Sequence, residues 1–388
     1  MQNFAKADGP PVSSARQQPT ISAEPKSNDE AAAPSRRPQV DGLRVIAMLG
    51  VLYVHLWNNH PLTEHVRVSL FFVVSGFLIT HILERAKASG RPVHVLNFYI
   101  RRALRLFPAL ILMVSVAYVF NADNIRNSFW WHALQLSNIY FSINESFAPW
   151  VTAHLWSLNM LEQFYVVAPL TILLLPRAGS YLVLIGMLTI SVFIRVNWSQ
   201  FGISGWWPNL TLSLDPIASG ALAYLMSRNS EIAKVMRSRW ALAISIAILV
   251  SPWYLWSGFG ASESYRLMVQ PALACIVVGA FHGYRGLLGS LLASGPARFL
   301  SKISYGVYIY HMMVWWLLAE MMPDLYKKGP VSFLVVSAAT FIVATISWYA
   351  FEQPIARLKS RFPTTGPGNS RRDTAANMNM PAQGSVLG

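Results

Sequence analysis

The stretch DGLRVIAMLGVLYVHLW, residues 41–57, predicts a membrane-spanning helix that opens at Arg44 and carries His55 well inside its apolar run. The two residues are eleven apart, which at about 100° per residue brings them to nearly the same helix face. Along the axis they are separated by roughly 16 Å, about half of a hydrocarbon core some 30 Å thick. Ionisable groups inside a bilayer are costly and indicate a functional site. The alternative is an interfacial anchor and a histidine that hydrogen-bonds a neighbouring helix.

The composition of the whole chain is typical of a polytopic membrane protein. Of the 388 residues, 54% are hydrophobic and 12% are charged, whereas a soluble domain carries about twice that charge. The one cysteine, Cys275, lies in an apolar run, which excludes a disulfide framework and a zinc cluster, and no metal site is predicted. The first forty residues lack an apolar core, so no cleavable signal sequence is expected.

The apolar runs predict an all-α bundle of about ten transmembrane helices, residues 41–355, between two polar tails, residues 1–40 and 356–388. The predicted spans lie near residues 42–58, 67–84, 104–121, 156–175, 180–197, 208–227, 240–256, 266–284, 303–322 and 331–351. An internal repeat, which would favour an inverted-repeat transporter, is not evident.

The positive charges predict the orientation of the bundle. With the tails inside, the short inner loops carry 14 lysines and arginines and the outer segments carry 6. The positive-inside rule therefore places both termini in the cytoplasm. The formal net charge of +14 is explained by these loops, and no nucleic-acid partner is predicted because no basic face exists outside the spans.

Three arginines stand at the inner end of the third span, in FYIRRALRLFPA: Arg101, Arg102 and Arg105. Ordinary positive-inside charge would explain each one alone. Arg102 and Arg105, however, are three residues apart on one helical face, and paired guanidinium groups suit phosphate. A phosphorylated cytoplasmic ligand is therefore predicted.

The fourth span, HLWSLNMLEQFYVVAPL, contains Glu162 about two turns from its outer end. A carboxylate at this depth should be paired or protonated. Because the predicted depths of Glu162 and His55 overlap, a carboxylate–imidazole pair is geometrically possible; a structural bond between helices is the alternative. Asp215, Arg195 and His311 also lie at membrane depth, and each alone suits a packing partner. Glu352 is expected to form a surface pair with an arginine.

Six stretches, in order, resemble acyltransferase family 3, the multispan membrane acyltransferases of O-antigen, exopolysaccharide, Nod-factor and macrolide substrates. They are LRVIAMLGVLYVHLW, FFVVSGFLIT, FYIRRALRLFPA, HLWSLNMLEQFY, SYGVYIYH and FEQP. The resemblance covers residues 41–358. It implies that the family's motifs fall on Arg44 and His55, on Arg102 and Arg105, on Glu162, and on Ser304, Tyr305, Tyr308 and His311. Some relatives carry an additional C-terminal esterase-like domain, for which the polar tail here is too short.

The residues and the resemblance together predict an O-acyltransferase of the bacterial inner membrane, which transfers groups other than aminoacyl groups. It would move an acyl group, most often acetyl, from acyl-CoA at the cytoplasmic face to a hydroxyl of a glycan, exopolysaccharide, glycolipid or related acceptor. The donor is a substrate, and no cofactor is predicted.

His55 would act as general base and Glu162 would orient its ring; a covalent acyl-histidine intermediate remains an alternative. The predicted substrate contacts are Arg44, Arg101, Arg102, Arg105, Ser75, Tyr305 and His311. Ser75 and its neighbour Gly76 also suit a close approach between helices. A transporter or channel with an intramembrane proton relay is the rival class, and a membrane scaffold or sensor is a third.

Overall fold

A computed structural model describes residues 37–58, 61–251 and 263–365. Regular structure in this part of the chain is helical, apart from one isolated bridge between Val93 and Thr365. The helices are α1 Pro38–Leu56, α2 Pro61–Ala88, α3 Val95–Phe120, α4 Phe129–Ala133, α5 Ser137–Asn144, α6 Leu155–Pro169, α7 Arg177–Asn197, α8 Trp206–Leu210, α9 Asp215–Met226, α10 Ser230–Met236, α11 Arg239–Val250, α12 Glu263–His282, α13 Gly286–Leu292, α14 Gly295–Met321, α15 Pro330–Ser347 and α16 Gln353–Arg357. Most of both predicted tails lies outside the described residues.

Seven of the described helices are long and apolar enough to cross a membrane, which confirms an all-α integral membrane protein. The other three predicted spans overlap α9, α11 and α14. α9 has 12 residues, roughly 18 Å, which is short for a hydrocarbon core of about 30 Å. α11 is described over 12 residues, and residues 252–256 of the span predicted there lie outside the described residues. α14 has 27 residues but is more polar. The count of ten spans and the orientation of the termini therefore remain predictions.

The first helix begins earlier than its hydropathy predicts. α1 starts at Pro38 and ends at Leu56, so the expectation that it opens at Arg44 is wrong. Proline at the first helical position has its φ preset for a helix and lacks an N–H that would find no partner there. Arg44 thus lies almost two turns inside the helix, and His55 lies at its end. We call the two ends of the bundle the Pro38 face and the Leu56 face.

α1 separates two hydrophobic cores. Val40, Leu43 and Ala47 belong to the core built with α2, α6, α9 and α12. Met48 and Leu52 belong to the core built with α3, α14 and α15. Buried faces on both sides hold this helix through van der Waals packing, which drives helix association in a bilayer because lipid tails are as apolar as the side chains. The stripe that carries Arg44 and His55 runs between these two faces.

The small residues of the second span do bring helices together. A methyl group on Gly76 would collide with the backbone carbonyl of Ile217, and one on Gly220 would collide with the carbonyl of Val73. α2 and α9 therefore approach at reciprocal glycines, as small residues in membrane helices permit. Ser75 lies beside this contact and is partly exposed.

Candidate active site

His55 lies against His311, far away in sequence. His55 Nδ1 is 2.8 Å from His311 Nε2, and the two rings stack with centroids 5.0 Å apart. His311 Nδ1 is 2.7 Å from the Tyr308 carbonyl oxygen. Because a carbonyl only accepts, His311 Nδ1 carries the proton, and the Nε2 of a neutral His311 accepts from His55. This leaves His55 Nε2 as the unprotonated nitrogen of His55, which is the one a general base needs.

A third imidazole, that of His154, completes this cluster. Its ring centroid lies 4.8 Å from that of His311, and its Nε2 donates to the Ile309 carbonyl at 3.1 Å. The backbone oxygen of His154 accepts from the Tyr308 hydroxyl at 2.5 Å. His154 is buried, and its Nδ1 has no hydrogen-bond partner among the described residues. The start of α6 is thereby fixed to the segment of α14 that holds His311.

Two of the three histidines face a cavity of about 410 Å³ at the Leu56 face. His55 and His154 line it together with the aromatic rings of Phe72, Trp156 and Trp315. Its basic lining residues are Arg67, Arg266 and Lys328. The volume falls in the range of about 300–1,000 Å³ that is typical of small-molecule sites.

Glu162 lies deeper in the bundle and contacts an arginine. Its Oε1 is 3.4 Å from Arg102 Nη2, and the Arg102 guanidinium also stacks on Tyr165, 3.3 Å from the ring centroid. In the structure the bonding partner of His55 is thus His311 rather than Glu162. The reason is how far α1 extends: His55, at the end of α1, lies at the level of His154, whereas Glu162 lies about two helical turns further along α6.

The sequence-predicted arginines form a cluster towards the Pro38 face, but not all in the same role. Arg44 and Arg102 are close enough to Arg105 for their charges to repel it. Arg105 is exposed, and it interacts electrostatically with the Glu162 carboxylate. Arg101 instead donates to the carbonyls of Lys359 (2.8 Å) and Phe362 (3.3 Å), which fixes the end of the described chain.

A narrow gap follows the polar stripe of α1. It has a volume of about 20 Å³ and is lined by Arg44, Met48 and Val51 of α1, with Tyr308 of α14 opposite. This is room for about one water molecule. Arg67 lines both this gap and the cavity next to His55. The arginine cluster and the histidine cluster are thus joined along one helix face.

The tyrosines of SYGVYIYH hold this face together. Tyr305 donates from its hydroxyl to the Leu106 carbonyl at 2.8 Å, which ties α14 to α3. The hydroxyls of Tyr308 and Ser157 are 2.7 Å apart. Ser304 bonds within its own helix, to the Ser301 carbonyl. Tyr305 therefore has a structural contact, and its substrate contact stays a prediction.

The remaining polar residues at membrane depth are packing partners, as expected for Asp215 and Arg195. Their bidentate pair has N–O distances of 2.7 and 3.0 Å, and Arg195 also contacts Glu263 at 2.7 Å. Glu352, by contrast, is not a surface residue: it is buried and accepts from the Ser347 hydroxyl at 2.9 Å. The expectation of a surface ion pair there is wrong, because the last turn of this span is covered by α14.

Outside the spans, a further buried histidine has a structural environment. His132, in α4, lies between the hydroxyls of Ser137 (2.9 Å) and Ser128 (3.1 Å). Burial lowers its pKa to about 3, so this imidazole stays neutral and fixes the loop between α3 and α6.

Sequence reasoning did not single out His154, Arg67 or Lys328. For His154 a signal was present, since an imidazole opens the HLWSL stretch at the end of a predicted span. Arg67 and Lys328 were counted only as outer charges. Their common cavity depends on contacts between distant segments, which single-span patterns do not report.

The described chain is helical, with a histidine cluster at a cavity on the Leu56 face and an arginine cluster towards the Pro38 face. These features define a class of membrane protein, and comparison with known proteins identifies the family. The family model of the acyltransferase domain, acyltransferase family 3, matches residues 37–349. The chain belongs to this family.

Two curated relatives give the same classification. The chain is 26% identical over 351 residues to peptidoglycan O-acetyltransferase OatA of Listeria monocytogenes, covering 82% of this chain and 56% of that protein. It is 25% identical over 361 residues to O-acetyltransferase OatA of Staphylococcus aureus strain NCTC 8325, covering 84% and 58%. The chain thus spans little more than half the length of these relatives. No solved structure matches it.

Proposed function

We propose that the protein is a membrane O-acyltransferase that moves an acetyl or similar acyl group from acyl-CoA to a hydroxyl of a cell-envelope glycan. The observation that carries the proposal is the chain from the Tyr308 carbonyl through His311 to His55. It ends on an unprotonated imidazole nitrogen beside a cavity large enough for a sugar. The peptidoglycan O-acetyltransferase relative supports a glycan acceptor.

The donor would bind from the Pro38 face. Arg44, Arg102 and Arg105 form a basic cluster there, and guanidinium groups match phosphate oxygens with paired hydrogen bonds. Glu162 and Tyr165 hold Arg102 from two sides. We therefore assign Glu162 the positioning of this arginine. The pantetheine arm would follow the α1 stripe towards His55 once the narrow gap widens.

At the histidine cluster, His55 Nε2 would take the proton from the acceptor hydroxyl as its oxygen attacks the thioester carbonyl. The carbon–sulfur bond then breaks, and the proton passes to the departing thiolate. His311 Nε2 accepts from His55 Nδ1, which holds the ring and stabilises the imidazolium in the manner of a triad carboxylate. A covalent acyl-histidine would use the same nitrogen.

The rival class, a transporter or channel with a proton relay, makes less use of the same residues. A relay needs neither three arginines at one end of the stripe nor a cavity lined by Phe72, Trp156 and Trp315.

The test is direct: purified protein with radiolabelled acetyl-CoA and soluble peptidoglycan fragments should yield labelled glycan. If the purified protein neither binds labelled acetyl-CoA nor transfers the label to any acceptor tested, the proposal is wrong.

The arginine cluster gives a prediction about donor binding. Arg102→Ala should weaken acyl-CoA binding about tenfold or more, because charge-assisted bonds contribute about 1.5–3 kcal/mol each. Arg102→Lys should restore binding only in part, since the charge returns without the planar fork. Equilibrium binding of labelled acyl-CoA measures both. The control is Arg126→Ala, in the loop after α3, where Arg126 bonds backbone carbonyls. If the unmodified protein and all three variants bind acyl-CoA with equal affinity, Arg102 does not bind the phosphates.

Orientation gives a second prediction. If the Pro38 face is cytoplasmic, reporter fusions near residues 95 and 233 should report from inside, and a fusion near 145 from outside. Residue 95 is at the start of α3, residue 233 is in α10, and residue 145 follows the end of α5. An extracellular signal from the fusion near 95 would reverse the bundle and move the donor site to the wrong side for acyl-CoA. The inner membrane of a bacterium is the location that fits this arrangement.

A further inference from the structure

We propose that an aromatic groove beside the His55 cavity binds the sugars that flank the acetylated one, so that the acceptor is a glycan chain rather than a single sugar. The inference rests on the proposed function. The groove has a volume of about 660 Å³, and its lining includes Glu145, Phe147, Trp198, Ser204, Trp206 and Asn209. It is formed by the loop after α5, the end of α7 and the short helix α8.

The groove adjoins the His55 cavity. Phe147, Asn209 and Leu210 line both. Each volume alone, about 410 and 660 Å³, is that of a complete small-molecule site. The cavity holds the reacting group next to His55, so a ligand that fills the groove as well must extend away from the reacting hydroxyl.

The lining of the groove combines rigid rings with polar groups. Phe147 and Trp206 meet edge to face, with ring centroids 4.9 Å apart, which fixes both. Trp198 is 38% exposed and packs against Gly205. An indole presents a negative π face, and this face attracts the polarised C–H groups of a pyranose ring.

The polar groups are arranged to bind hydroxyls. Asn209 accepts from Arg266 Nη1 at 3.3 Å and donates to the Gly205 carbonyl at 2.8 Å. Its amide is therefore oriented and has a second N–H to donate. The Ser204 hydroxyl oxygen accepts from the backbone N–H of Trp206 at 3.3 Å, which leaves the hydroxyl proton for a ligand. A lipid chain would use none of these groups, whereas a sugar uses all of them.

The structural alternative is an aromatic belt, because tryptophans often lie at membrane interfaces. Trp130 and Trp240 suit that role, since they are 70% and 68% exposed. Trp206, in contrast, is partly buried against Phe147 and lines the groove. The two roles differ in one observable: a belt residue does not sense the length of the acceptor.

The test compares peptidoglycan glycan fragments of one, two and four sugars as acceptors. For the unmodified protein, kcat/KM should be about three- to tenfold higher for the longest fragment than for the shortest, as expected for a stacking contact of about 0.5–1.5 kcal/mol. Trp198→Ala and Trp206→Ala should each abolish most of this preference by lowering kcat/KM for the longest fragment towards its value for the shortest. Trp198→Phe should keep part of it. Trp130→Ala is the matched control and should keep all of it.

Fragment binding is measured in parallel by saturation-transfer NMR, which needs no acyl transfer. Transfer without any length preference, in rate or in binding, would overturn the groove while the proposed function stands. Length-dependent binding that is lost in Trp198→Ala, without any transfer, would support the groove and contradict the acyltransferase. An equal loss in Trp130→Ala would assign the tryptophans to the membrane interface and overturn the groove.

Discussion

His55→Gln is expected to lower the rate of acyl transfer by about 10²–10⁴-fold while the protein inserts, folds and binds acyl-CoA normally. Glutamine has a similar size, and its amide can still donate to His311 Nε2 in place of His55 Nδ1. The packing of α1 is therefore kept. What glutamine lacks is an unprotonated nitrogen that can take a proton from a hydroxyl near neutral pH.

The measurement is the number of acyl groups transferred per molecule of folded protein, so that lost expression does not imitate lost catalysis. The control is His282→Gln at the end of α12, where the imidazole is exposed and bonds only a carbonyl of its own helix among the described contacts. Its rate should be unchanged. Near-normal turnover of His55→Gln would remove His55 from the mechanism and leave its bond to His311 as a structural contact.

Asp215→Ala is expected to destabilise the folded protein by about 3–5 kcal/mol, the usual cost of removing one partner of a buried ion pair. Arg195 and Asp215 are both almost fully buried. The substitution leaves the Arg195 guanidinium with Glu263, which is partly exposed, so we expect the lower end of this range. The carboxylate also accepts from Gln270, whose amide would lose that partner.

Thermal or denaturant unfolding in detergent measures this loss. Glu231→Ala is the matched control, because its pair with Lys234 has exposed side chains and such pairs contribute about 0–1 kcal/mol. The unfolding transitions of Asp215→Ala and Glu231→Ala should therefore be well separated. Coincidence of the two would show that the buried network contributes no more to folding than a surface pair.

The helices themselves were predictable because each depends on a local property of the chain. An apolar run of about twenty residues specifies a span, and a helix was found at each predicted one. The shared face of Arg44 and His55 follows from helical periodicity alone. The start of α1 was misplaced because hydropathy ignores Pro38, and that error also placed His55 too deep and made Glu162 its expected partner.

The contacts within the site were not predictable in the same way. His55 and His311 are 256 positions apart, and nothing in either span specifies which other span it faces. The burial of Glu352 was missed for a related reason. A residue near the end of a span is expected at the surface, and the sequence of that span does not show that a neighbouring helix covers it. The arginine cluster was recognised because its members are close in sequence, yet the separate contact of Arg101 with Lys359 and Phe362 needed the fold.

The narrow gap along α1 bears on whether protons and ions can leak across the membrane through this protein. A space of about 20 Å³ holds about one water molecule, so it cannot contain the continuous file of waters along which protons or ions would flow. In this closed form the gap therefore offers no water-filled path along α1 by which the membrane potential could be discharged. If the proposed function holds, the helices would separate for the donor arm to enter, and the arm would then fill the opening.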